Sequence, residues 1–192
     1  MEKKVFVDVS ARHVHLSQEN MDILFGEGAQ MTPKKPLGGG FAAEERVTLV
    51  GPRGSFERVA ILGPVRPTQI EISKTDARAL GVNPPVRLSG KTQGSAPIII
   101  VGPKGKLELE EGCIIAKRHI HITEGCAAEY GISQGDVVKV RIETPDRTLV
   151  FEDVPCRVQP GDINGPAATM HIDTDECNAA GMDGPCDGYI VE

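Results

Sequence analysis

The chain has 192 residues, a net charge of −6, no tryptophan and only 4% aromatic residues. An acidic chain this poor in aromatic side chains excludes a broad nucleic-acid footprint, which needs a basic face, and a base-stacking platform. No apolar run approaches the ~20 residues of a membrane span, and MEKKVFVDVS at the start reads straight into a strand, so neither a membrane partner nor a signal peptide is expected. The five cysteines (Cys113, Cys126, Cys156, Cys177, Cys186) are odd in number and form no C-x-x-C, as suits reduced thiols in an intracellular protein.

After that first strand, ARHVHLSQENMDILFG (11–26) sets His13 and His15 two apart, which puts both on one face of a strand. Ser17 fits the N-cap of a short helix carrying Met21, Leu24 and Phe25, and Gly26 fits its stop. MTPKKPLGGGFAAEE (31–45), with prolines and three consecutive glycines, is expected to be an irregular, flexible segment. RVTLVGPRGSFERVAIL (46–62) reads as a hairpin about its V-G-P-R-G turn, and TQIEISKTDARALGV (68–82) as a strand, a Ser73 cap, a helix and a Gly81 stop. LSGKTQGSAP (88–97) has the composition of a linker.

The pattern then recurs. PIIIVGPKGKLELEEGCII (97–115) is a second hairpin with V-G-P-K-G. KRHIHITEGCAAEYG (117–131) repeats the histidine pair as His119 and His121, with Thr123 as cap and Gly131 as stop. VVKVRIETPDRTLVFEDVPCRV (137–158) is a third hairpin, and QPGDINGPAAT (159–169) is irregular. ATMHIDTDECNAAGM (168–182) aligns with 68–82 without a gap, which sets His171 opposite Glu71 and Asp173 opposite Ser73. Strands at this density, with 22 glycines and 14 prolines, predict a mainly β fold. The expectation is two similar small β-barrels, 1–89 and 95–192, capped by short α-helices.

Four of five histidines lie in the two pairs, and the fifth lies at a repeated position. Each half thus offers three potential metal ligands from equivalent places: His13, His15 and Glu71, then His119, His121 and His171. Three protein ligands with a position left open is the catalytic zinc arrangement, whereas a structural zinc closes its shell with four. The pattern admits one metal per half or a shared pair. Arg12 and Arg118 alternate to the face opposite the histidines and read as structural. Arg66, next to a proline and near a ligand strand, suits an oxyanion or phosphate clamp. The chain has no phosphate-binding G-x-x-x-x-G-K-[ST] and no G-x-G-x-x-G.

SARHVHLS, FAAEERVTLVGPRG, LGPVRPTQIEIS, GCIIAKRHIHIT and MHIDTDECNAAG occur in an order that resembles the PduL-type phosphotransacylases, the phosphate propanoyltransferases of bacterial microcompartments and their relatives, over about residues 5–183. The resemblance implies a duplicated six-stranded barrel and two Zn2+ ions at an active site between the halves, held by His13, His15, Glu71, His119, His121 and His171. It implies the reaction acyl-CoA + phosphate ⇌ acyl phosphate + CoA on a propionyl or acetyl group, as in propanediol degradation. Arg66 would bind phosphate, and Ser10, Lys35, Leu62 and Asn178 would line the CoA pocket. A homodimer or larger homo-oligomer is implied as well. Three features depart from the family. The Arg66–Glu71 interval is one residue shorter, which along a continuous strand would turn Glu71 to the other face and so calls for a bulge or bend. Ala60 stands where relatives can carry an arginine near CoA. Only nine residues precede Ser10, too few for an amphipathic microcompartment-targeting helix and linker, so a cytoplasmic enzyme, or one trimmed of its extension, is expected first, with a bacterial microcompartment lumen as the alternative. Two rival readings of the ligands are a binuclear metal-dependent acyl-CoA thioester hydrolase and a zinc-dependent structural protein without turnover.

Overall fold

Along each strand, successive side chains turn to opposite faces, so the apolar half of an alternating segment selects the inside of a barrel. The computed structural model describes residues 2–37, 40–161 and 165–192. The elements of its first part are β1 (Lys3–Val9), β2 (His13–His15), α1 (Gln18–Phe25), β3 (Pro33–Leu37), β4 (Gly40–Val50), β5 (Ser55–Gly63), β6 (Gln69–Glu71), α2 (Lys74–Leu80) and β7 (Val86–Arg87). Then come β8 (Ala96–Val101), β9 (Lys106–Ala116), β10 (His119–Thr123), α3 (Glu124–Tyr130), β11 (Val137–Glu143), β12 (Thr148–Gln159), β13 (Ala168–Ile172), α4 (Thr174–Ala180) and β14 (Cys186–Val191). No helix among the described residues is long and apolar enough to cross a membrane.

Both expected barrels are present. One closes in the order β1-β13-β10-β12-β11-β14. In the other, β4, β5, β2, β6, β9 and β8 pair in a closed ring, with β3 added on β4 and β7 on β9. The pairings correspond strand for strand. The histidine strand runs parallel to one neighbour (β2 with β5, β10 with β12) and antiparallel to the other (β2 with β6, β10 with β13). Each barrel has its own core: Val14, Ile61, Ile70, Ile72 and Ile100 lie in one, and Val7, Ile120, Ile122, Met170 and Ile172 in the other.

The division of the chain differs from 1–89 and 95–192. The compact units are residues 11–117, and residues 1–10 together with 118–192. The reason is an exchange of leading strands. β1 directly precedes the first histidine strand, yet it pairs with β13 and β14; β9 precedes the second histidine strand, yet it pairs with β6 and β8. The supposed linker at 88–97 accordingly lies inside the first unit.

The stretch 31–45 is largely strand rather than irregular. Pro33 pairs with Ala43 and Leu37 with Gly40, and Thr32 donates to the Glu45 carboxylate from both its backbone N–H (2.9 Å) and its hydroxyl (2.7 Å). β3 lies at a sheet edge, where prolines, which lack a donor, are tolerated. Gly38 and Gly39 of this stretch, and Asp162, Ile163 and Asn164 of 159–169, lie outside the described residues.

The three hairpins fall where their turns predict, and each turn lies against the end of a helix. In V-G-P-R-G the Arg53 N–H donates to the Leu80 carbonyl of α2 (2.9 Å), and in V-G-P-K-G the Lys104 N–H donates to the Leu24 carbonyl of α1 (3.0 Å). These bonds satisfy carbonyls that a helix end leaves without partners. They also account for the repeated glycine. A Cβ on Gly51 would lie 2.3 Å from the Leu80 oxygen, and one on Gly102 would lie 2.4 Å from the Leu24 oxygen. At the third turn, Thr144 and Arg147 donate to the Ala180 and Ala179 carbonyls of α4 (both 3.2 Å).

Candidate functional site

In β2, Val14 is fully buried in its barrel, so His13 and His15 project from the opposite face. In β6, Ile70 points inward and Gln69 and Glu71 point with the histidines. The antiparallel register sets His13 directly opposite Glu71 and His15 opposite Gln69. The second barrel repeats this. Ile120, Ile122, Met170 and Ile172 fill the core, and His119 stands opposite His171. Each third donor therefore faces its histidine pair because of strand register.

In the first set, His13 Nε2 lies 3.2 Å from His15 Nε2 and 3.5 Å from Glu71 Oε2, and His15 Nε2 lies 3.9 Å from Glu71 Oε1. The three ligand atoms fall within 4.8 Å of one another. Glu71 thus keeps to the histidine face despite the short Arg66–Glu71 interval. β5 ends at Gly63 and β6 begins at Gln69, so the intervening residues are not bound by strand alternation. In the second set, His119 Nε2 and His121 Nε2 are 3.0 Å apart, and the His171 ring centroid lies 5.6 and 5.5 Å from theirs.

The spacings of the first set, and the His119–His121 separation in the second, fit a metal. Two donors on one tetrahedral zinc, each at about 2.0–2.1 Å, stand roughly 3.3 Å apart. The outer nitrogens of the first pair are also engaged: His13 Nδ1 meets the Ala11 carbonyl at 2.9 Å and His15 Nδ1 the Leu62 carbonyl at 3.1 Å. A proton on each Nδ1 leaves the Nε2 lone pair directed at the set, as in metal-bound histidines. Burial, with help from His13 and Arg66, pushes the pKa of His15 down to about 3. Burial does the same to His121, again to about 3, with His119, His171 and Arg157 adding to it. Both rings are therefore neutral donors at neutral pH. Burial opposes ionisation of Glu71, but its contacts with His13, the Ser89 hydroxyl and His15 overcome it and hold the carboxyl below its usual range.

Arg66 Nη2 lies 3.7 Å from Glu71 Oε1 and donates to Ser89 Oγ at 3.0 Å. The Ser89 hydroxyl donates to Glu71 Oε1 at 2.8 Å. Arg12 and Arg118 do turn away from the histidines. Arg12 donates to Asp76 at 2.7 Å and lies over the Phe56 ring; Arg118 donates to Glu176 at 2.8 Å and lies over Phe151. Asp76 and Glu176 are the capping-box acids of α2 and α4, the helices that follow Glu71 and His171. Each arginine thus fastens the strand of a histidine pair to the helix after the third donor.

The phosphate propanoyltransferase family model matches residues 6–183. The chain is 52% identical to the phosphate propanoyltransferase of Thermotoga maritima over 194 residues, covering all of this chain and 90% of that protein. This chain belongs to the phosphate propanoyltransferase family. The enzyme of Lachnoclostridium phytofermentans is 52% identical over 177 residues (91% of this chain, 81% of that protein), and that of Salmonella typhimurium 46% over 187 residues (96% and 87%). Membership makes the chain an acyltransferase.

The residues expected to meet CoA fall as follows. Ser10 N–H donates to the Ile172 carbonyl at 2.8 Å, and Asn178 is exposed on α4. In the other barrel, Lys35 is exposed on β3, and Leu62 is half-buried and holds His15 through its carbonyl. Sequence reading overlooked three residues. Gln69 and Ser89 bind Glu71, yet the first stands within TQIEIS as a side chain that is no metal ligand and the second lay in the apparent linker. Arg157 stands opposite His121 across parallel β10 and β12, a placement that only the register reveals.

Proposed function

We propose that this chain catalyses the reversible transfer of a short acyl group, propionyl foremost, between CoA and inorganic phosphate. The two three-donor sets hold one Zn2+ each, and both are required for turnover. The observation that carries this reading is the paired arrangement: His13/His15/Glu71 and His119/His121/His171 in matching registers, with Arg66 beside Glu71.

The Arg66 side chain is 39% exposed, so a planar, permanently charged donor is presented to an incoming anion beside the first set. Its tie to Ser89 fixes its direction before phosphate arrives. Phosphate is anionic at neutral pH and attacks the thioester carbonyl without a general base. His15 and His121 are neutral at neutral pH, which suits them to ligation and not to acid catalysis, and the Leu62 carbonyl on His15 Nδ1 leaves the His15 Nε2 lone pair towards its set. When bound, zinc supplies Lewis-acid polarisation of the carbonyl and stabilisation of the departing thiolate. Arg157, near His121, adds positive charge to a set that lacks a carboxylate.

Ser10, Lys35, Leu62 and Asn178 are proposed to contact CoA, with Lys35 as its cationic partner. A homodimer or larger homo-oligomer, and service in microcompartment-type propanediol degradation, belong to the same proposal and rest on the family resemblance. The hydrolase reading is disfavoured by family membership. The two are separated by supplying propionyl-CoA with and without phosphate. Transfer predicts CoA release that depends on phosphate and yields an equal amount of propionyl phosphate; rapid release without phosphate would establish the hydrolase instead.

A further inference from the structure

Gln69 is 2% exposed and directly opposite His15 on the ligand face of β6. Its carbonyl oxygen and both amide protons are engaged locally. Its carbonyl oxygen accepts from the Gly90 N–H at 2.6 Å, which fixes which end of the amide is which. Its Nε2 is therefore directed at Glu71 Oε1, to which it donates, and at Ser89 Oγ, to which it donates at 2.9 Å. Glu71 Oε1 also accepts from Ser89 at 2.8 Å. A carboxylate oxygen has two lone pairs, and these two donors take both. Oε2 is left, and it is the oxygen nearest His13 Nε2, at 3.5 Å.

We propose that Gln69 is a positioning residue for the first donor set: its amide turns the Glu71 carboxylate so that Oε2 alone serves as the metal donor, and by holding Ser89 it also braces Arg66. The proposal rests on the metal reading given above. The second barrel supplies a contrast. The position opposite His121 is Thr169, and the third donor there is His171. An imidazole presents one nitrogen to a metal and needs no choice between two oxygens, so no amide is required.

The test uses the full chain and three readouts: zinc affinity by competition with a chromophoric chelator, the phosphate KM against kcat, and thermal unfolding. Gln69→Met keeps the volume and removes the amide. Gln69→Asn keeps an amide but withdraws it by one methylene. Gln69→Met should hold its more weakly bound zinc about tenfold or more less tightly, the usual cost of losing a group that orients a ligand. Its phosphate KM should rise because Arg66 loses its brace. A folded Gln69→Met protein whose zinc affinity stays within twofold of the wild type overturns the proposal, whatever its melting temperature. If that variant does not fold, Gln69→Asn decides: weakened zinc supports the proposal and unchanged zinc overturns it. A wild-type chain that binds zinc but shows no phosphate-dependent CoA release defeats the acyl-transfer reading alone, and the zinc arm still judges Gln69. A wild-type chain that takes up no zinc overturns both.

Discussion

Replacing Arg12 with alanine tests whether the arginine beside the first histidine pair is a structural fastener. Arg12 gives a 2.7 Å bond to Asp76, whose side chain is 6% exposed, and its guanidinium lies 4.2 Å from the centroid of the Phe56 ring. A charge-assisted hydrogen bond contributes about 1.5–3 kcal/mol, and an exposed cation–π contact about 0.5–1 kcal/mol. Because the guanidinium is itself 39% exposed, solvent screening favours the lower end, about 2 kcal/mol. Asp76 keeps its capping-box bonds with Ser73, so α2 should loosen at its first turn rather than unfold. Urea denaturation should show a lower midpoint for Arg12→Ala, and much of that loss should vanish on an Asp76→Asn background. A loss below about 0.5 kcal/mol, or the same loss on both backgrounds, would refute the reasoning. Arg118→Ala is the internal replicate, since Arg118 makes the same contact with Glu176 in the other barrel.

Gly51→Ala should cost about 1–3 kcal/mol in denaturant, because its Cβ meets a helix carbonyl at 2.3 Å, whereas Gly54→Ala, at 3.0 Å from the Ala79 oxygen, should cost less. Arg58 and Asp153, at φ 57° and 55°, occupy the left-handed region at bulges of β5 and β12. Arg58→Gly should stabilise by roughly 0.5–1 kcal/mol in thermal melts, and Asp153→Gly by less, since Asp tolerates that region better. Burial pushes the Cys113 thiol up to about 12 from an ordinary 9.0. A thiol whose folded pKa is raised contributes stability that is intact below pH 9 and lost as the pH climbs toward 12. The native state should lose up to ~1.4 kcal/mol per pH unit in that window, and Cys113→Ala should flatten the slope in alkaline denaturation.

The repeat made most of the site legible. A period of two places His13 with His15 on one face, and the gapless match of 68–82 to 168–182 adds Glu71 and His171, the residues that register brings opposite His13 and His119. Caps and hairpins were legible too, because their signals are local: Ser17, Ser73, Thr123 and Asp173 all cap as read. What periodicity cannot supply is the partner of a strand. It shows which face of β1 is apolar but not that β1 pairs with β13 and β14, so the division of the chain was misplaced. The same gap hid Ser89, whose stretch looks like a linker and whose role arises only because Gln69 and Glu71 lie across from it. It also hid β3, whose prolines suit an edge strand as well as an irregular segment.

The most direct test of the central claim is propionyl phosphate formation from propionyl-CoA and phosphate, measured with bound zinc on the same preparations. These are the wild type, a His13→Ala/His15→Ala variant and a His119→Ala/His121→Ala variant. The wild type should form propionyl phosphate with zinc bound, and each double variant should lose both turnover and about half of the metal. A double variant that kept wild-type turnover after chelation would contradict the account.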